Sequence, residues 1–173
     1  MNDKVNLESI TEDDLVSELW AWDVRFLMGR QTSVSPLLPP YQLIELLAQS
    51  QNARMRLALI PLFLRHPEFF IEVEKVDKSL SSQLNKLVLH FYYTASVFLQ
   101  RKYQERLSGI FGTQTQLPDL YSSKLGVSLD VNPDTSLANL SKRHQALSGQ
   151  FINWLGTYEH AAERLIKHME KFK

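Results

Sequence analysis

The feature of this sequence that most constrains its fold is a series of apolar and aromatic residues near the carboxyl terminus with strict 3,4 spacing. Such spacing places side chains on one face of an α-helix and is typical of a packed helical seam. The predicted helix covers about residues 134–172 and would span roughly 57 Å. Gly149 and Gly156 lie opposite this face, and a kink or short break is predicted near Ser148 and Gly149. The seam consists of Leu137, Leu140, His144, Leu147, Phe151, Trp154, Tyr158, Ala161, Leu165, His168 and Phe172.

A second long helix is predicted over about residues 80–107, where apolar residues again follow helical spacing. Leu89, Tyr92 and Val97 add apolar groups outside its main stripe, so neighbouring elements must cover this helix from several sides. No run of alternating apolar and polar residues is long enough to indicate a strand. We therefore predict an all-α fold: one bundle-like domain of about six or seven helices, covering residues 1–173 and built around the two long helices.

Shorter helices are predicted from their capping residues. Thr11 and Asp14 have the spacing of a capping box, which predicts a first helix that runs to about Met28. Residues 31–40 hold three of the seven prolines and should form a connection, with Pro40 in the first turn of the next helix. Residues 1–10 are expected to form a flexible extension.

Residues 41–66 are predicted to form a helical hairpin. Asn52 is expected to cap its second helix, and Pro61 is expected to kink that helix. The apolar spacing of this segment, together with Arg56, resembles a single helix pair of the HEAT type. No second copy follows at a fixed period, so a repeat protein is not expected.

Composition narrows the possible classes of function. Nineteen Lys and Arg balance nineteen Asp and Glu, so the net charge does not favour an anionic partner. The chain contains no cysteine, which excludes disulfides and thiol chemistry. The most apolar window, residues 87–99, is shorter than the roughly 20 residues that span a membrane. Because the amino terminus also lacks the pattern of a secretory signal, we expect a cytoplasmic protein without membrane contact.

Metal, cofactor and catalytic motifs are not found in the sequence. His160 and His168 are separated by about 12 Å along a helix, which is too far for them to share one metal ion. No histidine lies three or four positions from another, and no phosphate-binding loop or nucleophile elbow occurs. We therefore predict no metal, no cofactor and no catalytic residue, and we expect His160 to be exposed and His168 to be partly buried.

Basic residues define the candidate binding positions. Arg54, Arg56 and Arg65 occur in one predicted helix, while Arg143 and Arg164 lie in a row beside the seam. Arginine clusters bind nucleic-acid phosphates, although basic residues near helix carboxyl termini also complement the helix dipole. A regulatory protein associated with nucleic acid is therefore the first alternative function.

The second alternative is a helical ribonuclease. The segment RLIKH, with three residues between Arg164 and His168, is similar to the arginine–histidine arrangement of HEPN-type ribonucleases, at a shorter spacing. Both side chains would lie on neighbouring turns of one helix, where they could form a composite basic site. In the alternative structural role, Arg164 flanks the seam and His168 completes it.

The function that this sequence favours is a non-catalytic protein-protein interaction or assembly module. Trp20, Trp22, Tyr92, Phe111 and Trp154 belong to an aromatic set larger than a small helical core needs, and aromatic residues are favoured at interfaces. The seam over residues 137–172 could be covered within the chain or by a second copy in a homodimer. The expected partner is therefore another protein chain or a second copy of this one.

Overall fold

The computed structural model describes residues 9–27, 35–129 and 132–172. All regular secondary structure in these residues is helical, and they contain no β-strand, which confirms the all-α fold. None of the helices in these ranges is long and apolar enough to cross a membrane. Most of the extension predicted at residues 1–10 lies outside the described residues. The helices are α1 (Glu12–Ala21), α2 (Pro40–Gln49), α3 (Ala53–Leu57), α4 (Leu59–Arg65), α5 (Phe70–Ser79), α6 (Gln83–Lys102), α7 (Gln104–Phe111), α8 (Ser122–Leu125), α9 (Pro133–Ser148) and α10 (Trp154–Lys171).

Helix α1 begins with the predicted capping box, since the Asp14 amide donates to Thr11 Oγ1 and the Thr11 amide donates to the Asp14 carboxylate. It ends at Ala21, so the prediction of a helix to about Met28 is wrong. Asp23 adopts a positive φ of 60°, which turns the backbone out of the helix. Beyond this turn, Val24 and Phe26 are buried in a non-helical segment.

A buried carboxylate fastens the proline-rich connection to α1. The amides of Leu37 and Leu38 donate to the two carboxylate oxygens of Glu18, at 2.8 and 3.1 Å. Residues 35–39 are non-helical, as predicted, and Pro40 starts α2. Charge-assisted bonds to a buried carboxylate are strong, so Glu18 fixes how the chain enters α2.

The segment 41–66 forms α2 followed by α3 and α4. Asn52 caps α3 as predicted, because its side chain accepts from the Arg54 amide. The helix breaks at Ala58, since Pro61 has no N–H for the Leu57 carbonyl one turn earlier. Nearly every side chain of α4 is buried, which makes this short helix the centre of the core. Its likeness to a HEAT pair stays a prediction.

The helix predicted over residues 80–107 is shorter than expected. It starts at Gln83, where Ser82 accepts from the Asn85 amide, and it ends at Lys102. The φ and ψ of Tyr103, −103° and 20°, depart from helical values and separate α6 from α7. As predicted, α6 is covered on several sides, and it packs against α4 and α9.

The helix predicted over residues 134–172 is two helices, so a continuous seam helix is wrong, whereas the break near Gly149 is confirmed. Gly149 has a φ of 69°, a left-handed conformation that ends α9 and favours glycine. Lys102 Nζ lies 2.6 Å from the Asp134 carboxylate in α9 and 3.1 Å from the Glu159 carboxylate in α10. At the other end of α9, His144 packs on Trp154, so α9 and α10 form an antiparallel hairpin. These breaks also explain why the helices outnumber the six or seven predicted.

Most of the seam is covered by the chain itself. Leu137, Leu140, Trp154, Tyr158 and Leu165 are buried, and they join one continuous apolar cluster with residues from α1 to α7. Leu147, Phe151 and Phe172 are exposed, so the prediction that they belong to a packed seam is wrong. Phe151 follows the turn at Gly149 and has left the helical register, whereas Leu147 lies in the last turn of α9, where the helix ends.

We expect Trp154→Ala to lower the free energy of unfolding by roughly 3 to 5 kcal/mol, because deletion of a large buried aromatic side chain leaves a cavity. Chemical denaturation measures the change. His160→Ala, at an exposed position of the same helix, is the control and should unfold like the parent. A Trp154→Ala protein that melts within about a degree of the parent would contradict the packing described for α10.

Candidate functional site

The arginines predicted as one patch in α3 and α4 engage separate partners. Arg54 is exposed, while Nη1 of Arg56 donates to the Ser50 carbonyl at 2.8 Å. Arg65 donates from Nε and Nη2 to Oδ2 of Asp23, at 3.3 and 3.2 Å. Arg54 and Arg65 are also about 16 Å apart along the helical path. Arg65 therefore belongs to a different surface from Arg54 and Arg56.

Arg143 fastens α9 to the end of α8. Its Nε donates to the Leu125 carbonyl at 2.9 Å. A Cβ atom on Gly126 would lie 3.4 Å from the same Nε, and Gly126 also has a left-handed φ of 76°. A side chain at position 126 would therefore only touch the guanidinium, and it is the left-handed φ at the end of α8 that favours glycine. This placement gives Arg143 a structural role.

The structure brings Arg65, Arg164 and His168 to one end of the bundle, around Asp23. Nε of Arg25 lies 3.3 Å from one oxygen of the Asp23 carboxylate, and Nη2 of Arg65 lies 3.2 Å from the other. The Arg164 guanidinium lies 5.4 Å from the centre of the Phe26 ring. We call this surface the basic end: Asp23, Arg25, Arg65, Arg164 and His168.

His168 lies half-buried at the basic end, with its ring 4.8 Å from that of Phe172. Burial lowers its pKa, and the nearby charges of Arg25, Lys171 and Arg164 lower this pKa further. The expected partial burial is confirmed, although burial and Arg25 disfavour protonation more strongly than the predicted Arg164. His160 is exposed, as predicted.

Sequence reasoning missed Asp23 and Arg25. Both residues lie in the region assigned to a first helix that runs to Met28, where side chains two positions apart would not face each other. The left-handed backbone at Asp23 ends that helix and brings its carboxylate to Arg65. The one available signal was the aspartate itself, since Asp adopts left-handed conformations more readily than most residues.

Metal-ligating side chains do not cluster in the described ranges. No group of three His, Cys, Asp or Glu residues there has a geometry that could hold an ion. Asp77 accepts a 2.7 Å hydrogen bond from Nε2 of His90, but His90 is almost fully buried and stacks on Tyr121. This pair joins α5 to α6 as part of the core.

An exposed apolar surface lies in the turn between α9 and α10. The exposed fractions of Leu147, Phe151 and Ile152 are 43, 93 and 42%. We call these three residues the apolar turn. Burial of one phenylalanine side chain stabilises a folded protein by about 1.5 to 3 kcal/mol. The fold does not obtain this stabilisation from Phe151, because its side chain is exposed.

A shallow groove of about 410 Å³ adjoins the apolar turn. It is lined by Lys142, Gln145, Ala146, Gly149 and Phe151. The sequence contains no acidic residue between positions 135 and 158. The groove and the turn therefore form an apolar surface with positive charge beside it and no negative charge within its own segment.

The apolar turn is held between two helices by a buried histidine. The His144 ring stacks 4.2 Å from Phe91 on one side and 3.6 Å from Trp154 on the other. Its Nδ1 shares a hydrogen bond with the hydroxyl of Tyr158. Burial lowers the pKa of His144 to about 3, so the ring is neutral at physiological pH. Because these contacts join α6, α9 and α10, they fix both ends of the turn.

Comparison with known protein families, curated proteins and solved structures finds no match to this chain.

We expect the free energy of unfolding to fall as pH is lowered from about 6.5 to about 4. A histidine whose folded pKa lies below its unfolded value of about 6.5 binds a proton more readily after unfolding, so acid favours the unfolded chain. His90, whose pKa burial also lowers, contributes in the same direction. Replacement of His144 by a residue that binds no proton should decrease the slope of the free energy of unfolding against pH by up to about 1.4 kcal/mol per pH unit.

Denaturation of His144→Phe at several pH values measures this change, since phenylalanine keeps a ring in the stack but binds no proton. His160→Gln is the control, because it also replaces a histidine, at an exposed position outside the stack. A His144→Phe profile parallel to that of the parent would show that His144 does not carry the pH dependence.

Proposed function

We propose that this protein is a non-catalytic protein-protein interaction or assembly module in the cytoplasm, and that the apolar turn is its contact surface. The observation that carries the proposal is the 93% exposure of Phe151 between two other exposed apolar residues. Contiguous exposed apolar residues are typical of interaction sites, and aromatic side chains are frequent anchors there. The absence of cysteine is compatible with a reducing compartment.

Charge defines the kind of partner that fits this surface. Lys142 lines the groove beside Phe151 and is exposed, and the segment 135–158 has no carboxylate to neutralise it. An apolar protein segment flanked by acidic residues would place its apolar side chains against Phe151 and its carboxylates near Lys142. Such complementarity speeds association and selects against basic partners.

Rigidity supports the same proposal. The His144 stack anchors α9, and Asn153 caps α10 by accepting from the Gly156 amide at 3.0 Å. A surface that is fixed before binding loses little conformational entropy when the partner arrives. The helices on both sides of Phe151 therefore do not need to become ordered when a partner binds to its ring.

A second copy of the chain is the alternative partner. Most seam residues already pack within their own chain, so a homodimer would use the apolar turn rather than the whole of residues 137–172. Three exposed apolar side chains form a small contact area, whereas stable interfaces bury about 1,200 to 2,000 Å². This comparison favours a partner segment that also enters the groove.

The basic end favours nucleic-acid association as a second candidate function. Arg25, Arg65 and Arg164 converge there, with Asp23 as the paired acid. Arginines beside aromatic rings are suited to single-stranded nucleic acid, which offers phosphates and stacked bases. Ribonuclease activity through Arg164 and His168 would require the same surface.

We expect the double substitution Phe151→Ser and Ile152→Ser to weaken partner binding by about tenfold or more, since truncation of interface anchors has the largest effects. Co-purification from the native cell should recover a partner with an acidic, apolar segment. Calorimetry with that partner purified then measures binding to the parent and to the double variant.

Leu84→Ser is the matched control for this experiment. Leu84 is 71% exposed, lies at the start of α6 outside the apolar turn, and should bind the partner like the parent. Equal affinities of parent and double variant would contradict the proposed surface. A parent protein that elutes as a dimer, converted to a monomer by the double substitution, would identify the partner as a second copy.

For the second candidate we expect no submicromolar complex with single-stranded RNA near physiological salt, because the neutral chain provides little long-range attraction. Fluorescence anisotropy with a labelled oligonucleotide measures this affinity. If the parent binds the RNA weakly at low salt, Arg164→Glu should decrease this binding. Arg54→Glu should leave it unchanged, since Arg54 lies outside the basic end.

Two results would reverse the ranking of the two candidate functions. One is submicromolar binding that disappears when Arg54, Arg56 and Arg65 are changed to Glu together. The other is metal-independent cleavage of the RNA that is lost in a folded His168→Ala protein.

A further inference from the structure

A polar cavity of about 350 Å³ lies beside the carboxyl-terminal end of α6. It is formed by the carboxyl-terminal turns of α6, by α7, and by the segment that follows α7. Its volume lies within the range of small-molecule sites, near the lower limit. The residues around it include Arg101, Gln104, Ser108, Thr113, Gln114 and Gln116.

The segment that closes the cavity is fastened to the core. The Gln100 side chain donates to the Thr115 carbonyl at 2.9 Å and accepts from the Leu117 amide at 2.7 Å. Nε2 of Gln114 donates to the Leu64 carbonyl in α4 at 2.8 Å. These bonds hold an irregular segment in one position, so the cavity is formed before any ligand enters.

Arg101 differs from the cations next to it in the sequence. Lys102 pairs with Asp134 and Glu159, and Arg106 pairs with Glu170 through two hydrogen bonds. Among the described residues, Arg101 has neither an ion pair nor a hydrogen-bond acceptor, and its Nε is buried. A buried donor without an acceptor is costly, and most such donors find a partner.

We propose that this cavity binds a small carboxylate-bearing molecule that also has amide or hydroxyl groups, with its carboxylate at Arg101. A guanidinium binds a carboxylate through two parallel hydrogen bonds. The other described side chains that line the cavity are amides and hydroxyls, which both donate and accept hydrogen bonds. They complement the polar remainder of such a ligand.

Charge narrows the ligand class further. Arg101 is the one charged residue that lines the cavity in the described part of the chain, so it matches a single negative charge. A phosphate group carries up to two negative charges and is usually bound by several cations or by a row of backbone amides. No carboxylate lines the cavity to receive an ammonium group, so free amino acids fit less well than their N-acylated forms. Among the described residues that line the cavity there is no nucleophile–base pair, and the proposal is therefore one of ligand binding.

Nitrogen-15 NMR titration of the full chain with N-acetylglycine tests this proposal. We expect saturable shifts confined to amides of residues 100–117, and binding at least about tenfold weaker for the neutral isostere N-acetylglycinamide. Inorganic phosphate is the third probe. Phosphate binding equal to or tighter than that of N-acetylglycine would overturn the carboxylate assignment.

Variants separate the role of Arg101 from general effects of charge. Arg101→Gln should abolish the saturable shifts, and Arg101→Lys should weaken binding, since an ammonium lacks the guanidinium fork. Arg106→Gln removes a neighbouring cation that is already paired with Glu170 and should bind like the parent. Binding to Arg101→Gln with parental affinity would overturn the assignment.

A second position keeps the test valid if Arg101→Gln fails to fold. Gln104 is exposed at the start of α7, so Gln104→Leu should fold and should reduce affinity by removal of one polar contact. A parent protein without saturable shifts at millimolar N-acetylglycine would overturn the proposal outright. The double variant Phe151→Ser and Ile152→Ser should bind N-acetylglycine like the parent. This result would show that the cavity and the apolar turn are separate sites, so that each proposal can be tested without the other.

Discussion

The structure depends on the packing of one neutral histidine between two aromatic rings. His144 in α9 stacks between Phe91 of α6 and Trp154 of α10, and it shares a hydrogen bond with Tyr158. These contacts are all with aromatic side chains, and burial among them lowers the pKa of His144. The cluster closes the α9–α10 hairpin against α6. It fixes the amino-terminal end of α10, while the ion pairs Lys102–Glu159 and Arg106–Glu170 hold the rest of that helix.

This arrangement gives α6 a central role in both proposed sites. Through Phe91 it supports the hairpin that carries the apolar turn, and through Gln100 and Arg101 it forms one wall of the polar cavity. The proposed surfaces use different physical chemistry. The apolar turn offers exposed apolar area beside a positive charge, whereas the cavity offers one unpaired guanidinium among neutral hydrogen-bonding groups.

Positive charge was a weak guide to function in this chain because most cations have structural partners. Arg56 binds the Ser50 carbonyl, Arg65 binds Asp23, and Arg143 binds the Leu125 carbonyl. Each of these arginines occurs in a basic group when the sequence is read along its helices. The informative cation is Arg101, which stands out only by comparison with paired neighbours. Sequence cannot show this difference, since each acceptor is distant along the chain or belongs to the backbone.

The sequence by itself determined the helical class, the caps at Thr11 and Asn52, and the break near Gly149, because these depend on local hydrogen bonds, spacing and backbone freedom. It also predicted the burial of most of the seam. Only the tertiary structure decided what covers each apolar face, since such contacts join segments far apart in the chain. The left-handed turn at Asp23, the hairpin of α9 and α10 and the exposure of Phe151 all follow from that long-range packing. At Asp23 the local pattern favours a longer helix, whereas the structure ends α1 at Ala21 and buries Val24 and Phe26 in the shared core.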